Sequence, residues 1–334
     1  MAFGRGLRER GHRVLGIVRA GNPFEQACRK AGFTVYPVRF GPKYNPVAIW
    51  RLVRIFRRER PEVVVVNISR DLEIGAVAAR VCGIPVVHRV GLVEDFRGTL
   101  EERWQHRVLV TRVLVPAEWM GAELARRFPW IESGRIRVVR NGRPAVRLPS
   151  AWVRKDAPVV FGTASQLSPS KGHHSFLRAA GILASEGVSF RIRVAGSGAL
   201  EGELRQQTAQ EGLSDRVEFV GFVKDMQTFL AQLDVFVLAS LKEGLPNALL
   251  EAMAAGLPCI ASDLPGTREV GGDAVLLVPP GDAPALARAM RRLSTDAEFR
   301  GTLAREAAAR VRKCFDLDTQ VGVLERVLRE VAGP

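Results

Sequence analysis

The sequence predicts an α/β protein built from two doubly wound, mostly parallel sheets. Two observations carry this. Short apolar runs of strand length alternate with amphipathic stretches of helix length, the spacing of α/β folds with helices on both sheet faces. The alternation then breaks at Asn141-Gly142, with Pro144, Pro149 and Ser150 close behind, and begins again. Ligands of open α/β sheets sit beyond the carboxyl ends of the strands, so two such domains facing each other would place an active site in the cleft between them.

In the first half, strands are expected at Arg13–Val18, Phe33–Val38, Glu62–Asn67, Ile84–Arg89, Arg112–Pro116 and Arg135–Arg140. Glu62-Val-Val-Val-Val-Asn67 has the unbroken apolar character of a strand covered on both faces. Helices are expected at Glu25–Ala31, Asn45–Arg60, Asp71–Cys82 and Glu118–Phe128, and a polar, basic stretch follows Arg89 to about His106. In the second half, strands are expected at Val159–Ala164, Phe190–Ala195, Arg216–Val220, Asp234–Ala239, Pro258–Ala261 and Ala274–Val278, with helices at about 172–185, 199–211, 225–232, 246–255 and 283–293. The expected domains are residues 1–148 and 149–315, with 316–334 a helix that can pack back on the first.

Composition narrows the classes. At 334 residues and 47% apolar content the chain can fill two cores. No run of 18 apolar residues is present, and the first residues lack the apolar segment of a signal peptide. Cys28, Cys82, Cys259 and Cys314 show no metal or disulfide spacing, which fits a reducing cytoplasm. The net charge of +14 calls for an anionic partner or a solvated arginine-rich face. Arg51, Arg54, Arg57, Arg58 and Arg60 interleave with Trp50, Leu52, Val53, Ile55 and Phe56, a basic amphipathic helix able to touch anionic lipid at the inner face of the cell membrane. No nucleic-acid motif is visible, so no nucleic-acid partner is expected.

One stretch carries chemistry. The apolar run Asp234-Val-Phe-Val-Leu238 leads into Ala239-Ser-Leu-Lys-Glu243-Gly-Leu-Pro246, and Pro246 suits the first turn of a helix that Gly256 ends. The N–H groups of Asn247, Ala248 and Leu249 would form an anion site at the helix start. Glu243 before it and Glu251 within it would put a carboxylate on each side, where ionised oxygens accept hydrogen bonds from sugar and ribose hydroxyls. A diphosphate with hydroxyl-rich ends fits this arrangement. Taken alone, the stretch reads equally well as a strand, a loop and an amphipathic helix with two solvated glutamates.

Glu243, seven intervening residues, Glu251 and then Ala-Met-Ala-Ala-Gly-Leu-Pro resemble the motif of the retaining GT-B glycosyltransferases of family 4. The resemblance is specific over about residues 135–315 and looser over 11–134. It implies the GT-B fold and a metal-independent transfer of sugar from a nucleotide diphosphate sugar to a hydroxyl of a glycan or glycolipid, without a bound cofactor. Cell-envelope polysaccharide or lipopolysaccharide synthesis is the expected setting. It also implies that Glu243 binds the donor sugar and Glu251 the ribose, with Gly244, Leu245, Asn247 and Ala248 around the phosphates.

Lys171, in Ser168-Pro-Ser-Lys-Gly172, is a natural phosphate ligand beside a helix start. The family usually has an arginine where Gln166 stands; glutamine donates a hydrogen bond but cannot neutralise a leaving diphosphate. Gly198, in Gly196-Ser-Gly198, ends a strand where backbone could approach a nucleotide, or is a plain turn. Phe222 falls in the family segment that borders the base, Asp225 is expected to cap the next helix, and Pro265–Glu269 resembles a further loop near the donor. On the acceptor side the family often has His-x-x-His-Gly. Here the sequence is His88-Arg-Val-Gly91, so His88 is either a site residue or a core residue, with Arg89, Glu94, Asp95 and Arg97 as alternatives.

The start departs from the family pattern. Leu7-Arg-Glu-Arg-Gly-His-Arg-Val14 resembles the end of the family's first helix. A first strand and its glycine-rich loop are therefore expected to be missing, leaving apolar edges unpaired and the chain poorly soluble or weakly active. Three rivals follow: a catalytically impaired GT-B relative, a basic membrane-binding protein with a vestigial site, and a sugar-nucleotide epimerase on a similar fold.

Overall fold

The computed structural model describes residues 1–68, 71–144 and 157–333. They form two compact units, Met1–Gly142 with Leu317–Pro334, and Arg143–Asp316. The expected border at 148/149, and with it Pro149 and Ser150, lies outside the described residues.

The first unit runs α1 (Ala2–Glu9), β1 (Leu15–Arg19), α2 (Pro23–Lys30), β2 (Thr34–Val38), α3 (Pro46–Glu59) and β3 (Val64–Val66). A π-helical turn (Leu72–Ala76) leads into α4 (Val77–Val81), then β4 (Val86–Arg89), α5 (Leu100–Val108), β5 (Arg112–Val115), α6 (Glu118–Arg127) and β6 (Ile136–Val138). All its strand pairs are parallel, but the sheet is in two pieces. Among the described residues β1 pairs with β2 alone, and β3, β4, β5 and β6 form a separate four-stranded sheet. A cavity of about 830 Å³ has Leu15 and Ile17 of β1, Val64 and Val66 of β3, and Ile55 and Phe56 of α3 in its lining, with charged residues such as Arg13, Glu59 and Glu325 beside them.

Two sequence expectations are corrected in this unit. The polar, basic stretch after Arg89, where the sequence predicts no element, contains the helix Leu100–Val108. A capping box starts it: the Glu102 N–H donates to Thr99 Oγ1 and the Thr99 N–H to Glu102 Oε2, each at 3.2 Å. The helix expected over Asp71–Cys82 is instead a π turn followed by a short α-helix, the kind of widened turn that recurs at functional positions.

The second unit runs β7 (Val159–Ala164), α7 (His173–Ser185), β8 (Phe190–Ala195), α8 (Glu201–Gln210), β9 (Val217–Gly221), α9 (Met226–Leu230) and β10 (Val235–Leu238). It continues with α10 (Asn247–Ala254), β11 (Cys259–Ser262), α11 (Pro265–Gly271), β12 (Leu276–Val278), α12 (Ala283–Thr295) and α13 (Ala297–Cys314). One parallel sheet has the order β12-β11-β10-β7-β8-β9. β10 is buried at all four positions, as its continuous apolar run requires. Phe161, Phe176 and Phe236 are fully buried, each contributing roughly 2–3 kcal/mol of apolar burial.

The last helix, α14 (Leu317–Ala332), belongs to the first unit. It crosses α1 so closely that a Cβ on Gly6 would lie 2.5 Å from Val321 Cγ2. Arg10 binds Asp318 and Glu325 at 2.8 and 3.0 Å. His12 meets the other Glu325 oxygen at 2.8 Å. Hydrogen bonds from His12, Arg329 and Arg10, in that order, pull the Glu325 carboxyl down to about 2.

Candidate active site

In the second unit β10, β7 and β8 are neighbours, so the loops after them share the carboxyl edge of the sheet. The loop after β7 and the loop after β10 are tied by the Leu241 N–H, which donates to the Ser170 carbonyl at 2.8 Å. Gly172 makes this approach feasible. Its φ is +65°, and a Cβ there would lie 1.9 Å from the Ala239 carbonyl oxygen. The result is an ion pair between two residues that the sequence singled out separately: Lys171 Nζ lies 2.8 Å from Glu243 Oε1. The hydroxyl of fully buried Ser240 donates to the same oxygen at 2.7 Å. Glu243 is therefore fixed by two partners, and it fixes the lysine.

Pro246, expected within the first turn of the helix, lies just outside it. Pro246 is the N-cap, with extended backbone, and α10 starts at Asn247. The first bond to a residue four back is from the Leu250 N–H to the Pro246 carbonyl, at 3.1 Å, so Asn247, Ala248 and Leu249 form the donor-rich first turn. Gly244 and Leu245, both buried, carry the chain from Glu243 to this turn. Arg143, which the motifs did not single out, lies across it. Its Nη2 donates to Glu251 Oε1 at 2.8 Å and to Asn247 Oδ1 at 2.9 Å. Lys171, Glu243, Asn247 and Glu251 are thus tied into ion pairs and hydrogen bonds around the start of one helix.

The remaining second-unit residues have plainer surroundings. Gln166 is exposed, and its carbonyl accepts from His173 Nε2 at 3.2 Å, which fixes the loop. Cβ atoms on Gly196 and Gly198 would lie 1.8 Å from the Ser165 carbonyl and 2.2 Å from the Leu167 carbonyl, so loop packing alone requires glycine at both. Phe222 is 74% exposed. Asp225 caps α9, accepting from the Gln227 and Thr228 N–H groups. Pro265–Gly271 is the helix α11.

His88 belongs to the first unit, near the carboxyl end of β4, and is buried. His106 Nδ1 lies 2.8 Å from the Glu102 carbonyl, which can only accept, so Nδ1 carries the proton. His106 Nε2 then accepts from His88 Nδ1 at 3.0 Å, which leaves His88 Nε2 unprotonated. Burial, then the neighbouring His106, push His88 down to about 3, and burial lowers His106 as well. His88 is a neutral, oriented imidazole. His106 was unanticipated because its surroundings read as a polar loop.

Comparison with known proteins agrees with this fold. Residues 158–296 match the model for "Glycosyl transferases group 1", and residues 1–147 match that for "Glycosyltransferase Family 4". The protein is a GT-B fold member of the glycosyltransferases. More narrowly, the chain belongs to the group 1, family 4 branch. It is 32% identical over 241 residues to a Bacillus subtilis protein named as a glycosyltransferase, EpsF, a match covering 66% of this chain and 62% of that one. It is 33% identical over 174 residues to the lipopolysaccharide core biosynthesis glycosyltransferase LpsE of Rhizobium meliloti, covering 52% of this chain and 48% of the relative. The chain thus spans about half to under two thirds of these relatives. Anabaena HepE, solved with UDP and glucose, superposes with a TM-score of 0.85 at 21% identity, over 98% of this chain and 94% of the other. Sucrose-phosphate synthase from Thermosynechococcus elongatus gives 0.80 at 20% identity, over 98% and 91%. No helix among the described residues is long and apolar enough to cross a membrane.

Proposed function

We propose that this chain transfers a sugar from a nucleotide diphosphate sugar to a hydroxyl of a cell-envelope glycan or glycolipid, with retention of configuration and without a metal. The observation that carries the reading is the pairing of Lys171 with Glu243 beside the first turn of α10, where Arg143 also reaches Glu251. Two cations and a row of backbone N–H groups suit a diphosphate. The carboxylates suit sugar and ribose hydroxyls. In the reaction the bond from the anomeric carbon to the phosphate oxygen breaks, and the nucleoside diphosphate leaves with the electron pair. A bond from that carbon to the acceptor oxygen forms, and the acceptor hydroxyl's proton passes to the departing phosphate oxygen. Lys171 and the helix start stabilise the negative charge on the departing diphosphate. HepE, of the same fold, carries UDP and glucose, so UDP-glucose heads the donor panel to test.

Helix α3 offers a route to a lipid-linked acceptor. Trp50 is 60% exposed with Arg54 stacked at 4.8 Å, and Arg51 and Arg57 are exposed beside it. A basic face with an exposed aromatic suits contact with an anionic membrane surface.

The decisive experiment is turnover of a nucleotide-sugar panel with and without envelope glycan acceptors, beside Lys171→Ala. Sugar transfer abolished by the substitution supports the reading. Absence of transfer and of donor hydrolysis across the panel rejects it.

A further inference from the structure

The first unit has a second pocket, of about 500 Å³, whose lining includes Lys43, Glu73, His88, Glu101 and Gln105. Glu73 stands on the π turn and is 6% exposed. One of its oxygens, Oε1, lies 3.2 Å from Lys43 Nζ. The other, Oε2, is buried and has no hydrogen-bond partner among the described residues. A buried carboxylate oxygen left in this state is costly, and a ligand with a donor relieves it.

The charge around it selects the donor. Lys43 is shared, because Nζ also lies 3.0 Å from Glu101 Oε2. Glu101 is held in place by the Tyr44 hydroxyl at 2.9 Å, which in turn accepts from Gln105 Nε2 at 2.9 Å. Two carboxylates therefore share one ammonium, and Glu94, Asp95, Glu102 and Arg97 also line the pocket, so acidic groups outnumber basic ones there in a chain whose total is +14. His88 adds no positive charge. A hydroxyl on Glu73 Oε2 would satisfy the hydrogen bond and leave the charge. An ammonium does both.

We propose that this pocket binds a sugar bearing a primary amine, the protonated amine seated on Glu73 Oε2. The unprotonated Nε2 of His88 accepts a hydroxyl of the same sugar. As an assignment of acceptor class this rests on the transferase reading above, but the binding itself does not.

The test is calorimetric titration of the whole chain, without nucleotide sugar, using glucosamine, glucose and N-acetylglucosamine as probes. Glucosamine is expected to bind at least tenfold more tightly than the other two, and Glu73→Gln to remove that preference. Glu101→Gln, at a partly exposed position, leaves the fold intact and removes one negative charge beside Lys43; it is expected to weaken glucosamine at least threefold and leave glucose unchanged. It carries the test if Glu73→Gln does not fold. Equal binding of glucose and glucosamine, no binding of any probe, or an unchanged glucosamine affinity in Glu101→Gln would overturn the proposal. A chain that binds glucosamine but transfers no sugar would count against the transferase reading alone.

Discussion

Lys171 Nζ and Glu243 Oε1 are 2.8 Å apart across 72 positions of sequence, and the Ser240 hydroxyl donates to the same carboxylate oxygen. The carboxylate therefore aims the ammonium. Lys171→Ala is expected to lower turnover at least 100-fold, about 3 kcal/mol of lost charge stabilisation. Glu243→Gln keeps an acceptor for Ser240 but releases the lysine, and is expected to lower turnover by a similar factor. The circular dichroism spectrum of each variant should match the parent's.

Arg143 bridges Asn247 and Glu251 on the first turn of α10. In the transferase reading it adds the full positive charge that Gln166 cannot supply. Arg143→Gln is expected to raise the donor KM several-fold, on the order of 1 kcal/mol, with a smaller change in kcat. Steady-state kinetics on a fixed acceptor checks this; an unchanged donor KM would assign the arginine to structure only.

Gly172 is where two loops touch. A methyl group there collides with the Ala239 carbonyl and burdens a backbone at φ +65°. Gly172→Ala is expected to cost about 2 kcal/mol or more and to separate Lys171 from Glu243. Urea denaturation measures the first effect and turnover the second. Gly187, at φ +75° with nothing near its Cβ, is the control: Gly187→Ala should cost only about 1 kcal/mol and leave turnover intact.

His88 makes the first unit sensitive to acid. Its folded-state value of about 3 lies below the ordinary histidine value of 6.5, so below that value the unfolded chain binds more protons than the folded one. Stability from this group is fully present above pH 6.5 and is lost as pH falls from 6.5 toward 3. The slope for one proton is about 1.4 kcal/mol per pH unit, and His106, lowered in the same direction, adds to it. Glu325 acts in a separate window, below its ordinary value of 4.5. Denaturant midpoints between pH 7 and 5 are expected to fall steeply for the parent and less steeply for His88→Gln.

Much of the second unit was legible because its strands are long apolar runs and its site sits on a strand-loop-helix whose punctuation is local. Lys171, Glu243 and Glu251 could be singled out for that reason. Arg143 could not, since only tertiary folding carries it to α10. The helix holding His106 did have a local signal, Thr99 with Glu102 three residues on, but the polar residues around it obscured the periodicity. Glu73 was invisible for another reason: a π turn shifts the side-chain phase by a fraction of a turn, which no helical pattern in the residues reports.

The gap between β1 and β3 bears on how the molecule breathes. Strands with one partner each have short ladders to lose, so their amides should exchange with deuterium orders of magnitude sooner than those of β4 and β5. Opening from that side also presents ready-made docking rows to another copy. Dilution and low temperature, rather than higher salt alone, should then be what keeps preparations of this chain monodisperse.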